Sequence, residues 1–355
     1  MHDHQEALKI LGQGTVIPAT PLALDGARKF DEKTQRLLMR YYLACGVGGI
    51  ATAVHSTQFA IRDPEIQLFE PVISLVIDEI ERFEVANTTC IVRVCGVCGP
   101  IEQALQEAKL AKSLGYDAVL LSPGGLNHLS EETLIERTKH VASIIPVIGF
   151  YLQTAVGGRV FSYDYWQQLC EIPNLVAIKC ASFNRYTTLD VVRAVANSSR
   201  CHQIALYTGN DDNIVHDLLD VFSFETPYGL RSVRFTGGLL GHWCIWTKIA
   251  VKLHEKLINA VNEGHIDASV FHLAAAVTDM NAAVFDPQHA FKGCIPGIHE
   301  VLRRQGIFKN RYCLDVHEDL SPGQSEELDR VITSYPQLID DDFITEHLPI
   351  WKIDL

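Results

Sequence analysis

No stretch of this 355-residue chain approaches the roughly 20 consecutive apolar residues that a membrane span needs. Its opening residues, Met1-His2-Asp3-His4-Gln5-Glu6, lack the apolar core of a signal peptide, and a cytoplasmic protein is the expectation. Positive charge is scarce. Thirty Lys and Arg stand against 43 Asp and Glu, a net charge of -13, which argues against nucleic acid or an anionic membrane surface as the main partner. No Pro/Gly/Ser-rich linker or low-complexity tract divides the chain, and no nucleotide P-loop is present. Cys95-Gly-Val-Cys98 has no second cysteine pair in register, so a tetrahedral zinc site would lack ligands. The ten cysteines read instead as reduced, mostly buried thiols. His2 and His4 read as a solvated terminus.

What is present is alternation. Hydrophobic residues make up 47% of the chain and charged residues 21%, the balance of a globular protein. Short apolar segments alternate with stretches of helical spacing. The strand candidates are 15–19, 48–54, 89–95, 118–122, 146–151, 174–182, 202–207 and 232–236. Helical spacing follows each of them, and Ser130 with Thr133 and the acidic Glu131 and Glu132 marks one helix start. Eight strand–helix units over about 240 residues match an α/β protein of the (β/α)8 TIM-barrel type. An open doubly wound sheet would carry a glycine fingerprint after the first strand, and none is visible. The predicted division is a barrel over 12–264 and a C-terminal helical extension over 265–355, with surplus helix available for a subunit interface.

The run Asn174-Leu-Val-Ala-Ile-Lys-Cys-Ala-Ser182 holds the most informative residue. Four apolar residues lead directly into Lys179. Burying an ammonium without a partner is costly, and losing the proton makes the amine a nucleophile toward carbonyls. In such a barrel the active site lies at the C-terminal ends of the strands. That rule selects Thr20, His55, Ser56, Thr57, Cys95, Cys98, Ser122, Tyr151, Lys179, Gly209, Asn210, Asp211, Thr236, Gly237 and Gly238. A lysine, a tyrosine and a hydroxyl-rich loop at one mouth form a coherent set for nucleophilic attack, proton movement and carboxylate binding. Cys180, next along its strand, should face the opposite side. Gly237-Gly-Leu-Leu-Gly241 could hold an anion on backbone amides or allow close approach of backbone to a substrate.

Gly14-Thr-Val-Ile-Pro-Ala-Thr-Pro21, Pro146-Val-Ile-Gly-Phe-Tyr151, Pro173 to Asn184 and Tyr207-Thr-Gly-Asn-Asp211 follow one another in an order that resembles the dihydrodipicolinate synthase / N-acetylneuraminate lyase superfamily of class I aldolases. The resemblance runs over about residues 12–300. It implies that Lys179 forms an imine with pyruvate or another 2-oxo acid and that Tyr151 is the proton shuttle. It implies that Ser56 and Thr57 bind the 2-oxo acid carboxylate, with no cofactor or metal. His55, Gly209, Asn210, Gly237 and Gly238 complete the expected substrate-binding set. A homo-oligomer, tetramer or dimer, is also implied.

The departures from that pattern concern the second substrate. The loop here is His55-Ser-Thr-Gln-Phe59, without the family's flanking glycines and glutamate. Pro123-Gly124-Gly125 replaces the synthases' Pro-Tyr-Tyr. Val156 stands where the synthases place an arginine for an aldehyde's carboxylate, and Arg159 is out of register. These losses speak against dihydrodipicolinate synthase itself. The expected activity is aldol cleavage or condensation on a 2-oxo acid, such as a 2-oxo-3-deoxy sugar acid. A dehydratase on the same scaffold, a non-catalytic 2-oxo acid sensor and a metal-dependent aldolase built on the histidines are the alternatives. His128 and His242 are further acid–base candidates.

Overall fold

The computed structural model describes residues 2–355. Its strands are β1 (Val16–Pro18), β2 (Gly49–Thr52), β3 (Val92–Val97), β4 (Ala118–Leu121), β5 (Val147–Leu152), β6 (Leu175–Ala181), β7 (Ala205–Thr208), β8 (Phe222–Thr226), β9 (Gly229–Val233) and β10 (Phe235–Leu240). Eight of them form one parallel sheet in the order β1-β10-β7-β6-β5-β4-β3-β2. The sheet closes into a barrel through the Ala19–Ala51 bridge and a hydrogen bond of 2.8 Å from Thr20 N to Ala51 O. Strands such as Val92-Arg-Val-Cys-Gly-Val97 are buried along their whole length, as expected where barrel interior and helices cover both faces.

The helices are α1 (His4–Gln13), α2 (Glu32–Cys45), α3 (Phe69–Asn87), α4 (Ile101–Ser113), α5 (Glu131–Ala142), α6 (Tyr163–Cys170), α7 (Arg185–Asn197), α8 (Ile214–Leu219), α9 (Thr247–Glu263), α10 (Ser269–Phe285), α11 (Cys294–Arg304), α12 (Gln324–Ser334) and α13 (Asp341–Trp351). Side-chain caps fix where several of them begin. Asp31 accepts from Thr34 N at 3.1 Å, Ser130 from Thr133 N at 3.2 Å and Ser162 from Tyr165 N at 3.1 Å. Each such cap is worth about 1 kcal/mol.

Two features differ from the sequence expectation. The N-terminus is only partly solvated, because the His2 side chain is buried while that of His4 stays exposed. Asp3 caps α1, the Tyr207 hydroxyl donates to Leu11 O at 2.9 Å, and His2 and His4 both reach Asp117, at 2.8 and 2.6 Å. The eighth barrel strand starts at Phe235, because Ser232 and Val233 belong to the antiparallel β8–β9 hairpin. That hairpin leaves the barrel and is tied to its flank by Arg231 donating to Ser198 O at 2.6 Å. The C-terminal helices wrap back onto the barrel. The Tyr41 hydroxyl donates to Asp340 at 2.7 Å, Lys309 pairs with Asp31 at 2.7 Å, and Trp351 packs against Tyr41. The segment from the end of α10 into α11 lies over the barrel mouth.

Candidate active site

Lys179 ends the apolar stretch of β6 and is 8% exposed. Its Nζ lies 4.7 Å from the centre of the Phe150 ring. The backbone at the end of β7 comes so close that a Cβ on Gly209 would sit 2.5 Å from Lys179 Cε. Only glycine leaves the lysine stem this room. Burial pulls the Lys179 ammonium well below the ordinary lysine range, while the Asp211 charge opposes that fall. Burial likewise raises the Asp211 carboxyl, which accepts the His242 backbone N–H at 2.7 Å.

Lys179, Asp211, His55 and Ser56 face one cavity at the barrel mouth. The first of two short 3-10 turns after β2, His55–Thr57 and Phe59–Arg62, presents His55 and Ser56 there. Burial, and secondarily the Lys179 charge, pushes the His55 imidazole down to about 4, so the ring is neutral near pH 7. A neutral imidazole beside a primary amine can take or return a proton.

Most of the remaining lining of the cavity is apolar. It includes Leu152, Val156, Phe183, Phe285, Phe291 and Ile298. Phe183 and Phe291 meet edge to face with ring centres 5.6 Å apart. Both hold left-handed backbone, with φ of 52° and 65°. Such a conformation costs a bulky residue of order 1–3 kcal/mol and persists only where surroundings impose it. Phe183 N donates to Asn210 Oδ1 at 2.9 Å, and Phe291 N donates to Asp286 O at 3.0 Å.

Residues 13–223 match the Dihydrodipicolinate synthetase family. The chain belongs to that family. Among curated relatives, the 4-hydroxy-tetrahydrodipicolinate synthase of Caldicellulosiruptor bescii is 31% identical over 116 residues, 32% of this chain and 37% of that protein. A probable 5-dehydro-4-deoxyglucarate dehydratase of Acinetobacter baumannii is 33% identical over 90 residues, 25% of this chain and 29% of that protein. The chain thus matches about a third of the length of these curated relatives. The solved dihydrodipicolinate synthase of Oceanobacillus iheyensis superimposes with a TM-score of 0.73 at 17% identity, covering 94% of this chain and 100% of that one. N-acetylneuraminate lyase of Fusobacterium nucleatum, solved in complex with pyruvate, gives 0.70 at 15% identity, covering 92% and 99%. These two likenesses establish the barrel.

Within this family member, the structure brings together only part of the set that the sequence selects. Lys179, His55, Ser56 and Gly209 face the cavity. Tyr151 does not. It pairs across the sheet with Cys180, while Phe150 pairs with Lys179. The Tyr151 ring stacks on Trp166 with centres 5.0 Å apart, on the helix side of the barrel wall. The shuttle role expected of it is withdrawn on that geometry. Thr57 is fully buried behind the loop, donating its hydroxyl to Thr20 O at 2.6 Å, and its amide donates to Val54 O at 3.0 Å. Asn210 is spent on structure, donating to Asp217 at 2.9 Å and accepting from Phe183 N.

Gly237 and Gly238 lie inside β10, below the mouth. A Cβ there would strike the Thr15 backbone at 2.4 Å and the Trp243 ring at 2.6 Å, so both serve packing. Gly241, at the end of that glycine-rich stretch, is the one that reaches the cavity. His128 is exposed on a loop, and the buried His242 ring faces Trp246. Cys95 and Cys98 are free, and burial pushes the Cys98 thiol up to about 11, away from the thiolate form that reacts.

Sequence reasoning missed Phe150, Gln153 and the aromatic wall. Phe285 and Phe291 lie in the C-terminal extension, whose sequence resembles generic helix and turn. No local signal joins them to a lysine more than a hundred residues earlier.

Proposed function

We propose that the protein is a Schiff-base enzyme of the aldolase-type lyase class. In this reading the Lys179 amine attacks the carbonyl of pyruvate or another 2-oxo acid. The observation that carries it is the burial of Lys179 at a strand end, facing a cavity, with its pKa lowered by that burial. The resulting iminium draws electrons from the adjacent C3, which permits C3–C4 cleavage or, in reverse, condensation. His55 is the proton carrier, because it is the neutral base that shares the cavity with the lysine. Asp211 steadies whatever positive charge the nitrogen carries. The Gln153 amide is the uncharged polar side chain placed to meet the carboxylate, since the Ser56 hydroxyl donates to Ala19 O.

The test is borohydride reduction in the presence of pyruvate, followed by peptide mapping. A reduced adduct on Lys179 is the expected result. If a control class I aldolase is labelled and Lys179 is not, with pyruvate or any other 2-oxo acid tried, the reading fails.

A dehydratase reading is favoured by one observation, the local similarity to a relative named as a probable 5-dehydro-4-deoxyglucarate dehydratase. It uses the same imine and expels a hydroxyl instead of breaking a carbon–carbon bond. Product analysis separates the two, since cleavage yields an aldehyde and dehydration a deoxygenated oxo acid. A homo-oligomer, dimer or tetramer, belongs to the same proposal and is supported by Tyr186, Tyr228 and Leu230, which stand exposed on α7 and the β8–β9 hairpin. Sedimentation tests it. The ten free thiols suit a reducing compartment such as the cytoplasm.

A further inference from the structure

We propose that the part of the substrate beyond the imine, from C4 outward, is an apolar group rather than a hydroxylated or carboxylated chain. This rests on the Lys179 reading and narrows it to a substrate class.

The cavity has few polar groups. Its charged and proton-carrying ones are Lys179, Asp211 and His55, at the ends of β6, β7 and β2. The rest of the lining offers aliphatic and phenyl surface, from Val156, Phe183, Phe285 and Phe291 among others, with Gln153 as the one side-chain amide among the described residues. A sugar-acid tail placed there would lose the hydration of each hydroxyl and find almost no partner to replace it.

A second carboxylate would fare worse. Among the described residues no arginine lines the cavity. The arginines nearest in sequence to the mouth loops are committed elsewhere, Arg185 to an ion pair with Asp217. Arg159 donates to Leu129 O at 2.7 Å and stacks on Phe161, and Arg62 pairs with Glu107 at 2.9 Å while donating to Gly96 O at 2.8 Å.

The aromatic wall is also held at a cost. Phe183 and Phe291 both keep left-handed backbone, each fixed by a backbone hydrogen bond, and they present an edge-to-face pair at the mouth. A third ring fits such a pair by stacking on an open face or meeting an edge. Strain at two bulky residues, spent on the same ring pair at the same opening, points to recognition of an apolar group.

The reaction this predicts starts from a 4-aryl-4-hydroxy-2-oxobutanoate. The Lys179 amine adds to C2, and water leaves to give the iminium. His55 takes the C4 hydroxyl proton as the C3–C4 bond breaks. Its electron pair moves into the C2–C3 bond, and the iminium double bond collapses onto nitrogen. The aryl aldehyde departs, the enamine takes a proton at C3, and water hydrolyses the iminium to pyruvate and free amine.

The experiment compares pyruvate release by the full chain from 4-hydroxy-2-oxo-4-phenylbutanoate and from a polyhydroxylated 2-oxo-3-deoxyhexonate, with borohydride labelling by pyruvate run alongside. The expected result is a kcat/KM at least tenfold higher for the phenyl substrate, and a smaller ratio in Phe291→Ser. Equal or better use of the hexonate, with Lys179 still labelled, overturns this inference and spares the imine. Cleavage of neither substrate with Lys179 labelled overturns it too. Absence of labelling removes the imine and this inference together.

Discussion

Phe150, the residue before the tyrosine of β5, is the side chain that meets Lys179. The two are paired across β5 and β6, and the ammonium sits 4.7 Å from the ring centre. The cause is a register shift at the start of the ladder. Val147 pairs with Leu175, but Ile148 pairs with Ala177, so Val176 is an extra residue in β6. Without it, Tyr151 would fall opposite Lys179. A single inserted residue exchanges the faces of everything that follows, because the side-chain period of a strand is two.

This arrangement predicts opposite outcomes for two substitutions. Tyr151→Phe removes a hydroxyl that is outside the cavity, so turnover should stay within about threefold of the wild type. His55→Gln removes the neutral base and should lower kcat by about 10²–10⁴-fold, the usual worth of general acid–base catalysis, while Lys179 still forms its reduced adduct with pyruvate. Steady-state kinetics and mass mapping decide it. A collapse of turnover in Tyr151→Phe, with His55→Gln active, would reinstate the tyrosine.

Gly209→Ala should leave a folded barrel with a misplaced nucleophile. The new methyl would lie 2.5 Å from Lys179 Cε and 2.9 Å from the Ala181 Cβ, so the lysine stem must move. Borohydride labelling should fall at least tenfold, with far-ultraviolet circular dichroism unchanged. Labelling at the wild-type rate would show that the lysine has other room.

The pH dependence of labelling follows from burial. The free amine is the attacking form, so the rate should rise with pH, with its midpoint below the ordinary lysine value of 10.5. The Asp211 charge favours the ammonium, so Asp211→Asn should move the midpoint lower still. A midpoint that stays put or rises in this variant would separate Asp211 from Lys179 electrostatically.

The N-terminal clasp carries its own pH signature. Burial opposes charge on His2, but hydrogen bonds to Asp117 and Glu84 outweigh it and raise the imidazole to about 9. A raised histidine stabilises fully below its ordinary 6.5, and that contribution disappears as pH climbs through 9. Solvent screening at this half-buried site keeps it to about 1 kcal/mol. The difference in stability between the wild type and His2→Ala, followed by chemical denaturation, should therefore shrink from pH 6 to pH 10. A difference independent of pH would mean that His2 acts by packing alone.

Much of this protein is determined locally and is legible in the chain. Apolar runs alternating with helical spacing specify strand and helix, since burial on two faces or on one stripe leaves different periodicities. An apolar strand ending in lysine already marks Lys179, and the strand-end rule already selects His55, Ser56, Gly209 and Asp211. The tertiary structure alone decides which of those residues share a cavity. The Tyr151-to-Lys179 spacing equals that from Val147 to Leu175, so sequence distance makes the tyrosine and the lysine partners until the bulge at Val176 separates them. Thr57, Asn210, Gly237 and Gly238 are likewise turned to packing by neighbours that are distant in the chain. The aromatic wall is the clearest case. Phe183, Phe285 and Phe291 join the lysine only when the C-terminal helices fold back over the mouth, and contacts between residues so far apart leave no periodicity to read.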